Sequence, residues 1–381
     1  MYPVASFRRQ TRELILRILF ALPGLHRVHR GAEVAFESIA HEIGVAGSDD
    51  VVLMGSGTPR DDRAYRFQHV PCVPRERFER MPKLPLLRSE YAYEELTFAA
   101  GLMLAQRNGV DLTVTCGYPY TNWALRAHLP GRKRSAHVFV TQNGEWPATS
   151  NHREYRFFSC DGLVCTNPAY FEHNRDRWFS TLIPNGVDPD RFRPGPGDRP
   201  AFGLPDDRPV ILMVSALVES KRVLESIEAV ARLRDPFLVV AGDGPLRAEV
   251  DRLAADQLPG RFLRGTFPFA RMPELYRSAD VFLHSTPLES FGNVYIEAMA
   301  TGLPIVANDE ALTHWILGEH GHLVDVTSSE SVASGLKGAL DQANRGAEDR
   351  AAFAAGTYAW KNIAAGYRSF FDEVLARTRV N

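Results

Sequence analysis

Residues 286–306 read T-P-L-E-S-F-G-N-V-Y-I-E-A-M-A-T-G-L-P-I-V, a stretch that combines turn, helix and strand signals in a fixed order. A short apolar run of strand length, 279–284, precedes it. Residues 293–300 have a helical pattern. Gly302 is placed to end that helix in the left-handed conformation, and Pro304 cannot continue it. The apolar residues that follow predict a second buried strand, so the stretch predicts a strand, a glycine turn, a helix and another strand.

Such a unit is suited to binding an anion. The N-terminus of its helix presents unpaired N–H groups and the positive end of the helix dipole. Glu289 precedes the turn and Glu297 lies within the predicted helix, eight positions later. A carboxylate offers two acceptor oxygens, so each glutamate could hold two neighbouring hydroxyls, as on a ribose or a hexose. The spacing alone also fits two solvated glutamates beside a turn, so the interpretation depends on the whole string.

The string closely resembles the nucleotide-sugar signature of the retaining GT-B glycosyltransferases, family 4 of the usual classification. The resemblance implies that Glu289 lies at the donor sugar and acts in catalysis, and that Glu297 holds the ribose. It also implies that the turn at Phe291, Gly292 and Asn293 meets the diphosphate through its amides.

The second half of the chain repeats this alternation of strand and helix. A continuous apolar strand at 210–214 is followed by a loop with Lys221 and Arg222, and the strand at 237–241 ends at Gly242. This order predicts a doubly wound parallel sheet that binds ligands at the carboxyl ends of its strands. The glycines after the second of these strands lack the third glycine of a dinucleotide fingerprint, which disfavours NAD. The resemblance implies a catalytic role for Lys221 at the diphosphate, and we assign Arg222 and Gly242 to donor binding.

The first half resembles the family through its loops. The strand at 14–22 leads to a donor-facing loop with Gly31, in which Arg30 takes the place of a glycine more usual in the family. The strand at 136–141 leads to Asn143, where the family usually has a histidine. An amide can hydrogen-bond a sugar hydroxyl but cannot carry a proton at neutral pH, so we assign Asn143 to donor binding. A simple Asn-Gly turn fits the same residues equally well.

These observations predict an α/β protein of the GT-B class, with two Rossmann-like doubly wound domains facing a cleft. Residues 1–184 would form an acceptor domain and residues 185–357 a nucleotide-sugar domain. The resemblance implies that residues 358–381 form a C-terminal helix that returns to the N-terminal domain. A length of 381 residues suits two domains of ordinary size.

Composition excludes several classes of protein. The net charge of −2 argues against nucleic-acid binding, which needs a strongly basic face. The four cysteines show neither metal-ligand spacing nor a disulfide framework, which favours reduced thiols in the cytoplasm. The early apolar run is interrupted by Arg17 and is too short to span a bilayer, and no signal peptide is recognisable. We therefore expect a cytoplasmic protein and leave open a peripheral contact with the inner face of the membrane.

No metal or other cofactor is expected. Asp188 and Asp190 spell the Asp-x-Asp metal motif of a different glycosyltransferase fold, but they lie in a proline-rich linker with no strand to position them. His26 and His29 share one loop but have no third ligand in the sequence pattern.

One cation of the family is missing. An arginine usually stands five residues before Lys221, and Ala216 occupies that place here. A leaving diphosphate normally needs more than one cation or a metal to offset its charge. Our hypothesis is that Arg222 or Arg30 replaces the missing arginine, so that no divalent metal is needed. A solvated Arg222 at a helix start is the alternative.

The predicted activity is transfer of a hexose-type sugar, with retention of configuration, from a nucleoside diphosphate sugar. UDP is favoured over GDP, and the acceptor is an unidentified glycan, lipid-linked or small molecule. Catalysis would rest on stabilising the leaving diphosphate, with Lys221 and Glu289 as the principal residues. A sugar-nucleotide epimerase of the same architecture and a catalytically silent nucleotide-binding protein remain as alternatives.

Overall fold

A computed structural model describes the chain over residues 15–105, 108–127, 134–142, 157–287, 289–343 and 345–380. Asn143, predicted to bind the donor, lies outside these residues. No helix within the described ranges has the length and apolar character needed to cross a membrane.

The first sheet has seven strands in the order β3-β2-β1-β4-β5-β6-β7. Its strands are β1 Arg17–Ala21, β2 Asp50–Gly55, β3 Arg66–His69, β4 Leu112–Thr115, β5 Ala136–Val140, β6 Gly162–Cys165 and β7 Ser180–Leu182. The helices between them are α1 Gly31–Val45, α2 Glu90–Leu104, α3 Tyr120–Arg126 and α4 Pro168–Asn174. The pairings from β3 through β5 are parallel.

The second sheet has six strands in the order β10-β9-β8-β11-β12-β13, and all its pairings are parallel. Its strands are β8 Val210–Val214, β9 Phe237–Ala241, β10 Phe262–Gly265, β11 Val281–His284, β12 Ile305–Asn308 and β13 Gly321–Val324. The helices are α5 Val223–Ala231, α6 Arg247–Gln257, α7 Met272–Arg277, α8 Asn293–Ala300, α9 Ala311–Leu317, α10 Ser329–Leu340, α11 Ala347–Tyr358 and α12 Trp360–Val380. This is the Rossmann strand order, which confirms the predicted α/β fold with parallel sheets.

Apolar side chains cover both faces of the second sheet. Leu212 of β8 packs in one core cluster together with Ile296 of α8. Ile211, the preceding residue of the same strand, packs in a second cluster together with Ile227 of α5. Successive side chains of a strand point to opposite faces, and helices on both sides remove them from water. This double burial explains why the strand is a continuous apolar run.

The chain divides into two compact units, one of residues 1–140, 151–163 and 367–381 and one of residues 141–150 and 164–366. Residues 164–184, which the sequence analysis assigned to the first domain, group with the second unit. The end of α12 groups with the first unit, in which Phe371 lies 6.3 Å from Phe20 between ring centroids and Arg368 pairs with Asp49.

One helix is shorter than predicted. Residues 90–108 have helical periodicity in the sequence, which predicts a helix over that range with Gly109 as its cap. In the structure α2 ends at Leu104, and Ala105 is its C-cap in an extended conformation. Gly109 does take a left-handed conformation, with φ of +69°, in a turn beyond the helix. The prediction was wrong because a glycine near the end of a helical pattern need not be the residue that stops it.

Candidate active site

The site lies where the strand order of the second sheet reverses. Strands β8 and β11 are neighbours there, with Ile211 paired to Val281. The loops after these two strands carry Lys221 and Glu289, respectively. In an open parallel sheet, the carboxyl ends of the strands at such a reversal form the usual ligand-binding crevice. The fold therefore brings together two residues that are 68 positions apart in the sequence.

Lys221 and Glu289 form an ion pair, in which the lysine Nζ contacts Glu289 Oε1. The side chains are 21% and 16% exposed, so the pair is mostly shielded from water but open on one side. Lys221 ends a 3-10 turn, Glu219–Lys221, and Arg222 after it takes a left-handed conformation with φ of +52°. The two residues predicted to be catalytic are thus in direct contact.

His284, which the sequence analysis did not single out, completes this cluster. It is the last residue of β11 and is 2% exposed. Its Nε2 lies 2.9 Å from Glu289 Oε1. The ring of Tyr295 meets the imidazole edge to face, with 5.0 Å between centroids. These contacts fix the imidazole, which in turn restricts the carboxylate of Glu289.

The charges in the cluster follow from burial. Burial opposes ionisation of Glu289, but the hydrogen bond to His284 and the nearby charge of Lys221 outweigh it and lower the pKa of Glu289 to about 2. Burial lowers the pKa of His284, so its imidazole is neutral at neutral pH. Nε2 then carries the proton and donates to Glu289, because an ionised carboxylate can only accept. Lys221 is therefore the cation that balances Glu289, and Glu289 cannot serve as a general acid near neutral pH.

The turn before α8 requires its glycine. Gly292 is the N-cap of α8 with φ of +80°, and a Cβ there would lie 2.6 Å from the ring of Tyr295. As a glycine, Gly292 offers this helix terminus no side-chain cap of its own. The first amides of a helix have no partner within the helix, and the positive dipole end lies beside them. This terminus, on the same loop as Glu289, can therefore bind a phosphate.

Two asparagines hold this turn in place. Asn167 Nδ2 donates to the carbonyl oxygen of Ser290 at 2.6 Å, and Asn185 Nδ2 donates to Asn293 Oδ1 at 2.8 Å. The side-chain oxygen of Asn293 is thus already engaged, while its backbone amide, at the helix start, could bind a ligand. Asn167 also caps α4, because its side chain accepts from the amide of Tyr170.

Phe291 contributes to the site only through its backbone. Its side chain is 2% exposed and packs edge to face against Trp315 and Tyr358, each at 6.2 Å between centroids. The ring belongs to the core of the domain. Any contact of Phe291 with a ligand must therefore use the backbone amide, and the ring serves to anchor the turn.

Glu297 lies on α8 and is bound by Tyr276. The Tyr276 hydroxyl donates to Glu297 Oε2 at 2.9 Å. Burial raises the pKa of Glu297 to about 7, although the hydrogen bond from Tyr276 and the charge of Arg191 act in the opposite direction. With this pKa, Glu297 is about half ionised at neutral pH, and one of its oxygens accepts from Tyr276. The other oxygen can accept from a ligand, so two hydroxyls of a diol would hold the glutamate in its ionised form.

Two other predicted donor-binding residues in this domain have structural contacts of their own. Arg222 Nε donates to the carbonyl oxygen of Val326 at 3.2 Å, and Arg222 Nη1 lies 3.3 Å from Glu225. A Cβ on Gly242 would lie 1.8 Å from the carbonyl oxygen of Ser215. Gly242 is thus required for close packing against the loop after β8, and donor binding by both residues stays a prediction.

The remaining predicted residues lie in the first unit. Gly31 is the first residue of α1. Arg30 is the N-cap of that helix, and its guanidinium lies 3.7 Å from Glu76. Across the described ranges, no group of three or more His, Cys, Asp or Glu side chains could hold a metal ion.

Comparisons with known proteins agree with this architecture. Residues 196–360 match the family model described as "Glycosyl transferases group 1". The lipopolysaccharide core biosynthesis glycosyltransferase LpsE of Rhizobium meliloti (strain 1021) is 30% identical over 223 residues, which cover 56% of this chain and 63% of LpsE. The GDP-mannose-dependent alpha-(1-6)-phosphatidylinositol monomannoside mannosyltransferase of Mycolicibacterium smegmatis (strain ATCC 700084 / mc(2)155) is 33% identical over 185 residues, covering 43% of this chain and 48% of that protein. The chain thus spans less than two thirds of either relative.

Among solved structures, Alr3699/HepE of Anabaena, in complex with UDP and glucose, superposes with a TM-score of 0.71. The match covers 94% of this chain and 99% of HepE at 18% sequence identity. Together with the two parallel sheets, this likeness defines a protein of the GT-B fold class, as the sequence predicted. Residues 196–360 are thus similar to the group 1 glycosyl transferases, and that match extends over less than half of the chain.

Proposed function

We propose that this protein transfers a hexose-type sugar from a nucleoside diphosphate sugar to an acceptor, with retention of configuration. The observation that carries the proposal is the contact of Lys221 and Glu289 at the strand-order reversal, beside the N-terminus of α8. A cation and a set of helix amides can bind the phosphates of a sugar diphosphate, and an ionised carboxylate can accept hydrogen bonds from the hydroxyls of its sugar. The family match over residues 196–360 supports the same chemistry.

The roles follow from the charges. The diphosphate would lie between Lys221 and the first amides of α8, which offset the negative charge that develops on the leaving group. Glu289, held by His284, would accept hydrogen bonds from hydroxyls of the donor sugar. Glu297 would accept from the ribose. Since Lys221 contacts Glu289 in the free protein, the donor must share or displace that contact.

UDP is the nucleotide that we propose, although the names of similar proteins point both ways. HepE was solved with UDP and glucose, and the mycobacterial relative uses GDP-mannose. The acceptor would be a glycan, a lipid-linked or a small molecule. We further propose a cytoplasmic location and a reaction that needs no metal or other cofactor.

The test is to incubate the protein with UDP- and GDP-hexoses and follow the products by NMR. We expect release of the nucleoside diphosphate, with the first-formed hexose or glycoside in the anomeric configuration of the donor. An epimerised nucleotide sugar would instead identify an epimerase. Nucleotide binding without any product, across donors and a panel of hydroxylated acceptors, would identify a catalytically silent protein.

The affinity for nucleotide should rise with pH through the pKa of Glu297. That pKa is raised to about 7, and a bound diol favours the ionised form. The affinity therefore reaches its full value above this pH and falls below it. We expect calorimetry to show about tenfold weaker UDP binding at about pH 6 than at about pH 8. Tyr276→Phe should move the midpoint upward, because the tyrosine hydroxyl lowers the pKa of Glu297.

Glu297→Ala provides the control for this pH effect. It should reduce the dependence near neutral pH to that of the terminal phosphate of UDP itself, whose second pKa is about 6. It should also weaken nucleotide binding by about 1.5–3 kcal/mol, the range for a hydrogen bond to a charged group. Unchanged affinity in this variant would remove Glu297 from the ribose site.

We also propose that Arg222 or Arg30 supplies the second cation for the diphosphate. Arg222 follows Lys221 directly, and its present partners are a carbonyl oxygen and Glu225. At least one of Arg222→Ala and Arg30→Ala should lower turnover by roughly a hundredfold, as for loss of one preorganised donor. EDTA should leave the wild-type rate unchanged. Near wild-type activity of both variants, or loss of activity in EDTA, would exclude this role.

A further inference from the structure

The segment of residues 77–88 presents apolar side chains to solvent. It begins with the last two residues of the 3-10 turn Arg75–Phe78 and leads towards α2. Residues 79–86 are all exposed. Met81 is 48% exposed, Leu84 46% and Leu86 40%. Single exposed apolar residues are common on protein surfaces, but three within six residues form a local apolar tip.

The same segment is basic. Residues 77–88 contain four basic residues and one acidic residue, in a chain whose net charge is −2. Arg77, Arg80 and Lys83 are exposed. None of these three forms an ion pair with any residue that the structure describes. Their charges are therefore available to an anionic partner.

The backbone of the segment is anchored. The Tyr93 hydroxyl donates to the carbonyl oxygen of Pro82 at 2.6 Å, and the Tyr120 hydroxyl donates to that of Leu86 at 2.9 Å. Leu84 and Leu87 exchange backbone hydrogen bonds of 3.1 and 3.0 Å across a tight turn. The backbone of the segment is thus held by hydrogen bonds, while the side chains of Met81, Leu84 and Leu86 remain exposed.

Leu86 adopts a backbone conformation that disfavours leucine. Its φ is +69°, and it follows Pro85 in the turn, a place where glycine or asparagine is usual. A leucine there costs stability, and its side chain, 40% exposed, recovers only part of this cost by burial within the protein. Strained backbone conformations are often found at binding sites.

We propose that the 77–88 segment docks this protein on an anionic lipid bilayer. The apolar side chains of Met81, Leu84 and Leu86 would enter the interfacial region, and the basic side chains around them would contact lipid phosphates. Stable peripheral binding generally needs two such signals together, apolar insertion and electrostatic attraction. These side chains would thus form the peripheral membrane contact that the sequence analysis leaves open. Such a contact does not depend on the proposed activity.

The test is sedimentation of the full chain with sucrose-loaded vesicles, either of phosphatidylcholine with phosphatidylglycerol or of phosphatidylcholine alone. We expect binding to the anionic vesicles only, weakened by added salt. Each basic residue near an anionic surface strengthens binding about fivefold, so Arg77→Gln/Arg80→Gln/Lys83→Gln should lower the partition coefficient by about a hundredfold.

The apolar contribution is tested by Met81→Ser/Leu84→Ser and, separately, by Leu86→Asn. The double variant should lower the partition coefficient at least about tenfold, because two buried apolar side chains are lost. Leu86→Asn should also weaken vesicle binding, yet raise the melting temperature, because asparagine tolerates a positive φ. A gain in stability with a loss of binding cannot result from misfolding.

Matched controls carry the same chemical changes elsewhere. Val45 and Leu104 are exposed apolar residues of other helices, and Val45→Ser/Leu104→Ser should leave vesicle binding unchanged. The charge control replaces three exposed basic residues outside the segment, Arg234, Arg252 and Lys361, by glutamine. This variant should bind vesicles more strongly than Arg77→Gln/Arg80→Gln/Lys83→Gln.

Three results would overturn the proposal. One is absence of wild-type binding to anionic vesicles at low salt. Another is equal loss of binding in the segment variants and their controls. The third is self-association of the wild type in solution that the segment variants abolish, which would identify a second copy as the partner. Because vesicle binding is measured without substrate, failure of the proposed activity would not affect this outcome.

Discussion

Glu289→Gln should lower turnover by about a hundredfold or more while leaving the affinity for free UDP unchanged or slightly higher. Loss of one preorganised polar group at a reacting centre typically has an effect of this size. The substitution keeps the shape of the side chain but removes the charge that Lys221 and His284 hold in place. Nucleotide affinity should not fall, because Glu289 would contact the sugar and its loss frees Lys221 for the diphosphate.

The measurement is steady-state turnover together with calorimetry of UDP binding. Glu319→Gln is a suitable control, because Glu319 is an exposed carboxylate of the same domain. If Glu289→Gln and Glu297→Ala lost UDP affinity to the same extent, the division into a sugar contact and a ribose contact would be wrong.

Lys221→Met should lower turnover by about a hundredfold to a thousandfold and should also weaken UDP binding, since it removes a cation from the diphosphate site. It should lower the free energy of unfolding as well, because it leaves the largely buried carboxylate of Glu289 without its counter-charge. Breaking a fully buried pair costs about 3–5 kcal/mol, and the partial exposure of this pair reduces the expected loss to about 1–3 kcal/mol.

A double-mutant cycle separates the two effects. Lys221→Met/Glu289→Gln should recover much of the lost stability, because no unpaired charge remains, while turnover stays low. Additive losses of stability in the double variant would show that the ion pair contributes nothing to the fold. Normal turnover of Lys221→Met would exclude the lysine from the reaction.

Local signals made the centre of the site predictable. Gly292 and Gly302 mark the turn and the end of α8, and both have positive φ. The four central strands of the second sheet, β8, β9, β11 and β12, were predictable because burial on both faces produces continuous apolar runs. Strand β3 was not predicted, since its two end residues are exposed, the two between them are only half-buried, and they give no apolar run.

Residues that position the site were not predictable, because tertiary packing brings them there. Asn167 lies 123 residues from its partner Ser290, and Asn185 lies 108 residues from Asn293. His284 lies only five residues from Glu289, yet a histidine at the end of an apolar strand reads as part of the core. Its distance to the carboxylate depends on how the loop after β11 turns back over the strand end.

Proximity in sequence was a poor guide to side-chain direction in two cases. Phe291 lies within the signature, but its ring faces the core against Trp315. Arg222 is next to Lys221, but its left-handed backbone directs the guanidinium to the carbonyl oxygen of Val326. Neither direction follows from residue type, because each depends on backbone conformation and on distant neighbours.

A crystal structure with UDP or GDP, whichever binds more tightly, tests the central claim most directly. We expect the diphosphate within hydrogen-bond distance of Lys221 Nζ and the first amides of α8, with the ribose hydroxyls on Glu297. The contact between Lys221 and Glu289 should lengthen or be shared with a phosphate oxygen. A nucleotide bound away from the carboxyl ends of β8 and β11, or a ribose that does not contact Glu297, would contradict the account.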